Sequence, residues 1–151
     1  MRGKRAGRQG LPGSGGLELT WQADVLIAGE AQGDVLRFGA PISFWGGVDP
    51  ETSVVTLNGH PQRGQPIADR IVVLPQLIGS GSSSAIILEL IYKRRAPRAL
   101  ILGMRDAILP IGVLVAEEMG WPTIPVLVLM DPPLQSGQTI SIRRGGLITP
   151  I

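Results

Sequence analysis

The sequence predicts an α/β domain of layered β/β/α form, with sheets backed by two main helices, and three observations carry that expectation. Strand-like segments crowd the first half of the chain. The second half alternates buried strand and helix, the pattern of parallel strands with crossover helices. A last pair of short strands closes the chain around Arg144-Gly145-Gly146. With 151 residues there is one folded domain, expected over 17–151 and preceded by a disordered basic tail over 1–16.

Residues 17–28 alternate in parts (Leu17, Leu19, Trp21, then Val25, Ile27) and predict a strand with a break near Ala23-Asp24. Gly33 is expected to turn the chain, and 35–38 to return as a strand. Residues 41–47 read as an irregular apolar loop. A short β-branched strand follows over 53–57, closed by Asn58-Gly59, a favoured tight-turn pair. Ile71-Val72-Val73-Leu74 is a buried-type strand. Ser82 or Ser83 can cap a helix to about Lys93, which Pro97 stops. Residues 99–102 form a buried strand, and 108–118 a helix whose Pro110 suits the first turn and which Gly120 ends. Strands over 125–129, 138–142 and 147–149 complete the set.

The core must rest on Ile, Leu, Val and Ala, because aromatics make up only 4% of the residues. Four of the fourteen basic residues, Arg2, Lys4, Arg5 and Arg8, lie in the tail, which leaves ten basic against twelve acidic residues in the body. The basicity therefore belongs to the tail, and no aromatic-interleaved basic stripe marks the body for nucleic acid. No run approaches the ~18–20 apolar residues of a membrane span. The absence of cysteine fits a cytoplasmic setting and excludes a disulfide framework.

Two segments exceed what core or turn requires. Gly79-Ser80-Gly81-Ser82-Ser83-Ser84 follows a buried strand and enters a helix, so its N–H groups and hydroxyls gather at the positive helix end. A carboxylate or phosphate binds there without a charged side chain. It is neither a Walker loop, lacking the lysine, nor a nucleophile elbow, lacking a glycine two positions after Ser82. The other segment, Pro41-Ile42-Ser43-Phe44-Trp45-Gly46-Gly47-Val48-Asp49-Pro50-Glu51-Thr52, holds two of the six aromatic residues. Phe44 and Trp45 suit either interlayer packing or a lid; Gly46 and Gly47 suit a turn or close approach of a ligand. Asp49 fits a turn of its own. His60 is the sole histidine, in a loop before Pro61. One histidine, no cysteine and no clustered carboxylates give this chain no metal site of its own.

These residues resemble the small subunit of the aconitase X family. The match runs through 41–52, then His60-Pro61 and Gly64, then 79–84, and extends over Ala96-Pro97-Arg98-Ala99, Asp106-Ala107-Ile108-Leu109 and Gly112. The resemblance implies a swivelling β/β/α domain that works with a larger catalytic subunit holding iron or an iron–sulfur cluster. It implies dehydration of a small hydroxy acid, in one branch cis-3-hydroxy-L-proline and in an archaeal branch phosphomevalonate. The run Gly81-Ser82-Ser83-Ser84 is similar to the hydroxyproline branch, and Ser80 stands where relatives commonly carry Arg or Lys.

Carried onto this chain, the resemblance implies Ser82 as proton acceptor, with Ser43, Gly81, Ser83 and Ser84 as substrate contacts. Phe44, Trp45, Gly46, Gly47, Asp49 and His60 then form a lid or interface. A serine is a poor base at its free pKa, so the site must prepare it electrostatically or supply a partner base. Two alternatives remain from other classes. One is a phosphohistidine carrier on His60, which lacks a neighbouring helix N-terminus to hold the phosphate. The other is an anion-binding or interaction module without catalysis.

Overall fold

The computed structural model describes residues 19–79 and 81–151, so the basic tail and Ser80 lie outside the described residues. Eleven short elements follow one another: β1 (Trp21–Gln22), β2 (Asp24–Ile27), β3 (Ala31–Arg37), α1 (Phe44–Gly47), β4 (Ile71–Leu74), α2 (Ser82–Tyr92), β5 (Ala99–Leu102), α3 (Ile108–Glu118), β6 (Val126–Val128), β7 (Thr139–Ile142) and β8 (Leu147–Pro150). The eight strands order as β1-β8-β7-β3-β4-β5-β6-β2. Since β1 and β2 sit at opposite ends of that order but are separated in the chain by Ala23 alone, the sheet curls almost into a barrel. The expected break near Ala23 is the point where the chain changes edge.

Strand β3 joins two kinds of sheet. Its residues Ala31 to Asp34 pair antiparallel with β7, and Val35 to Arg37 pair parallel with β4. Strands β4, β5 and β6 continue in parallel, as the buried runs predict. Alternation splits their side chains between two cores. Leu36, Val72, Leu74, Leu100, Leu102, Val126 and Val128 face the helices. Val35, Ile71, Val73, Ala99, Ile101 and Leu127 face inward, where Trp21, Ile140, Ile142 and Ile148 cover them. The middle layer is thus buried on both sides, which is the β/β/α layering.

Helix α2 sets Ile86, Ile87, Leu90 and Ile91 against the sheet. Each is worth about 1.5–3 kcal/mol on burial, which outweighs a missing cap of ~1 kcal/mol. The cap is indeed missing: Gly81 occupies the N-cap with no side-chain hydrogen bond, in place of the expected serine. Its other end falls at the expected place, with Lys93 as the C-cap, but the stop is a different one. The helix stops before Pro97, in a Schellman turn where Arg94 takes a left-handed φ of 57° and the N–H groups of Arg94 and Arg95 return to Ile91 and Leu90. Helix α3 ends the same way on Gly120, and the Asp106 carboxylate accepts the Leu109 N–H at its start, 3.0 Å away.

Two further expectations fail. Gly33 lies inside β3, opposite Ile140, and makes no turn; a Cβ there would stand 3.2 Å from the Arg98 side chain, so packing explains it. Residues 53–57 make only isolated bridges, Val48 with Val55 and Val54 with Pro66. Pro66 has no N–H to continue a ladder, and Ser53 is held at φ 65°.

Candidate functional site

The serine loop leaves β4 and enters α2 at the C-terminal end of the parallel strands. Open α/β sheets place their ligand crevices at that end. The 41–47 segment reaches the same place. Ile42 bridges to Leu77, accepting from the Ile78 N–H at 3.0 Å and donating to the Gln76 carbonyl at 3.3 Å. The structure therefore brings together the two segments that the sequence sets apart.

At the contact, α1 is a single turn. Trp45 (φ −66°, ψ 116°) and Gly46 (φ 74°, ψ −11°) have type II turn angles, a conformation that calls for glycine at the second position. The turn sends its two aromatic residues in opposite directions. Phe44 is fully buried in the helix-side core, and Trp45 is 64% exposed. The choice left open between packing and lid thus divides between them.

The serines divide too. Ser82 is exposed and Ser84 half-buried, with the Ser84 hydroxyl donating to the Gly81 carbonyl at 2.6 Å. Ser83 is sealed, at 0% exposure. Its Oγ accepts the N–H groups of Phe44 at 3.0 Å and Trp45 at 3.4 Å and lies 3.4 Å from the half-buried Ser43 Oγ. Ser83, expected to touch substrate, is buried in the described conformation, where its hydroxyl serves the neighbouring turn. Gly81 is exposed beside Ser82.

His60 and Asp49 stand back from the loop. His60 is 6% exposed; its Nδ1 accepts the Gln62 N–H at 3.0 Å, so Nε2 carries the proton and donates to the Ala40 carbonyl at 3.1 Å. Its ring meets Phe38 edge-on at 5.1 Å. It braces the approach to Pro41 from beneath, and the phosphohistidine alternative loses its exposed nitrogen. Asp49 accepts the Glu51 N–H at 2.8 Å, and that bond holds its carboxyl below the ordinary value. Just beyond, Glu51 pairs with Lys93 at the far end of α2, while Arg95 donates to the Glu51 carbonyl. The 41–52 motif therefore runs the length of α2, with only its first half at the serine end.

Sequence reasoning missed an apolar rim. Ile78, Met104 and Met130 follow β4, β5 and β6 and are 45%, 54% and 69% exposed, at the same end as the serines. The signal was present: each is a large apolar residue placed just after a buried strand ends. Met104 and Met130 also line a cavity of about 360 Å³ with Arg37, whose guanidinium donates to the Pro132 and Leu134 carbonyls. A larger cavity, about 610 Å³, opens at the other end among Glu30, Asp69, Arg94 and Arg98. Size favours it, but it lies at the strand N-termini and the negative end of α2, away from the serines. Among the described residues no group of three His, Asp or Glu side chains could hold a metal, and no helix is long and apolar enough to cross a membrane.

Comparison with known proteins gives the arrangement a setting. A family model described as the aconitase X swivel domain matches residues 20–149. The cis-3-hydroxy-L-proline dehydratase of Hypocrea jecorina is 41% identical over 109 residues, covering 72% of this chain but 18% of that protein. The phosphomevalonate dehydratase small subunit of Thermococcus kodakarensis is 39% identical over 92 residues, 61% of this chain and 69% of that one. The crystal structure of Thermococcus kodakaraensis aconitase X in its holo-form superposes with a TM-score of 0.79 at 31% identity, covering 87% of this chain and 98% of that chain.

Proposed function

This chain belongs to the aconitase X swivel-domain family, and on that premise we propose that it is the small, substrate-closing part of a dehydratase completed by a larger catalytic partner. One observation carries the reading: an exposed serine, Ser82, opens α2 at the same end of the parallel strands as the exposed apolar side chains Trp45, Ile78, Met104 and Met130. Such side chains suit burial against another protein surface, and methionines adapt to the fit. The whole of 17–151 is proposed to move as that one unit.

The reaction removes a proton from the carbon beside a carboxylate; the C–H electron pair becomes the second bond of an alkene as the neighbouring C–O bond breaks. Ser82 Oγ is the proposed acceptor of that proton, having passed its own to a base in the completed site. The positive end of α2 and the Ser43 hydroxyl favour the carboxylate and the negative charge that develops, while the Ser84 hydroxyl stays on the Gly81 carbonyl. This chain's residues do not fit a metal or cluster, since its sequence has no cysteine and its described residues no triad of ligands. Lewis-acid help for the departing hydroxyl belongs to the partner, where iron or an iron–sulfur cluster is expected.

Among substrates, cis-3-hydroxy-L-proline is favoured by the serine run after Gly81 and by the absence of a basic residue at Ser80. The comparable likeness to phosphomevalonate dehydratase small subunits sustains phosphomevalonate as a second reading. Co-expression with a tagged larger partner, followed by assay of both compounds, tests the proposal. Water loss from the hydroxyproline in the complex supports it. A complex that forms and dehydrates neither compound would leave the non-catalytic module standing instead.

A further inference from the structure

We propose that Ser83 is a positioning residue: its buried hydroxyl latches the Trp45 turn onto α2 and so sets where the Trp45 indole stands beside Ser82. The functional half of this inference rests on the dehydratase reading; the structural half rests on geometry alone. The hydroxyl of Ser83 has two lone pairs, and two backbone N–H groups, those of Phe44 and Trp45, converge on it. The turn's own bond, from the Val48 N–H to the Phe44 carbonyl, leaves both of those donors out. Phe44 is fully buried, so no water replaces the serine there.

Latching has a consequence for the site. Ser82 and Ser83 are consecutive on the first turn of α2, so a loop held by Ser83 keeps a constant relation to Ser82. Trp45, the largest exposed side chain on that loop, then forms a fixed wall at the mouth of the site. Its role is to admit and orient a small ring-sized hydroxy acid; it takes no part in proton transfer. Ser43 Oγ lies 3.4 Å from Ser83 Oγ, within hydrogen-bond reach, which ties the next hydroxyl of the wall to the same anchor.

Amide hydrogen exchange on the ¹⁵N-labelled full chain tests the latch. In the unaltered chain the Phe44 and Trp45 amides exchange slowly. In Ser83→Ala they exchange about tenfold faster or more, as loss of the sole acceptor of a buried N–H implies, while Val72 and Ile101 hold their rates. Ser83→Cys, with a weak sulfur acceptor, falls between. In the complex with the larger partner, Ser83→Ala raises KM for the hydroxy acid about fivefold or more with kcat nearly unchanged, the mark of lost positioning. An unprotected Phe44 amide in the unaltered chain overturns the latch without needing any variant to fold. A Ser83→Ala enzyme losing kcat at unchanged KM overturns the positioning role. Full activity in Ser82→Ala would instead strike the dehydratase reading of Ser82, and the amide rates would still decide the latch.

Discussion

The Ser83 hydroxyl stands 3.0 Å from the backbone nitrogen of Phe44, a residue 39 positions earlier, and neither group reaches solvent. One bond thus joins a loop after β3 to a helix after β4. It explains why the three described serines of one short loop, Ser82, Ser83 and Ser84, are not equivalent. One faces outward, one is consumed by its own helix turn, and one holds the next loop.

Ser82→Ala is expected to lower kcat of the assembled enzyme by about 10²–10⁴-fold, the span of a general base. Assembly with the partner, followed by gel filtration, should be unchanged, because Ser82 is exposed and its substitution creates no cavity. A variant with normal kcat would remove Ser82 from the chemistry.

Phe44 and Trp45 should part in stability measurements. Phe44→Ala, at a fully buried site, is expected to cost about 3–5 kcal/mol. Trp45→Ala, at 64% exposure, should fall within about 0.5 kcal/mol of the unaltered chain, yet weaken association with the partner. Urea denaturation measures both. Similar losses for the two would contradict the turn geometry that separates the rings.

Gly112 sits where α3 packs closely on α2. A Cβ there would lie 2.4 Å from both the Ser84 carbonyl oxygen and Ile87 Cγ2. The ~1 kcal/mol that alanine gains over glycine in an open helix is outweighed by such overlap. Gly112→Ala should therefore lower Tm by several degrees, at roughly 2–4 °C per kcal/mol for a chain of this size. A raised Tm in calorimetry would mean that the helices part freely.

Ser53 combines a left-handed φ of 65° with a buried hydroxyl that has no hydrogen-bond partner among the described residues. Both costs vanish in Ser53→Gly, and together they exceed the entropy glycine adds to the unfolded chain. The urea midpoint should rise by the equivalent of about 1 kcal/mol. An unchanged or lower midpoint would show that the hydroxyl is satisfied in solution.

Asp49 links the turn to pH. Its carboxyl is held below the ordinary 3.8, first by the Glu51 N–H. A depressed folded-state value adds stability that is present above 3.8 and lost as pH falls through the lower folded value. Asp49→Asn should accordingly be slightly less stable than the unaltered chain at neutral pH, with the difference vanishing in strong acid. Urea midpoints at the two extremes decide it; a gap that persists in acid would assign the effect to shape, not charge.

Much of this molecule could be read residue by residue. Ile71–Leu74 and Ala99–Leu102 are runs of uninterrupted apolar residues, and Ile108–Glu118 carries its own stop in Gly120, so local pattern and tertiary burial agree. The misreadings came where a distant neighbour overrode local preference. Gly33 suggests a turn until the Arg98 side chain lies across it. The β-branched residues near Val54 suggest a strand until Pro66 becomes the neighbour. The end of α2 near Lys93 was legible, but its stop is Arg94 in a conformation usually left to glycine, and not the proline.

The serine and aromatic segments, the place of the serine run at a helix start, and the lack of cysteine and of clustered metal ligands follow from residue order and type alone. Which serine faces solvent does not. That depends on the rotation of α2 about its axis, set by Ile86, Ile87 and Leu90 against the sheet, and on where the loop carrying Phe44 arrives. Hydroxyls are chemically alike along the chain; only three-dimensional burial assigns one to the loop and turns another toward solvent.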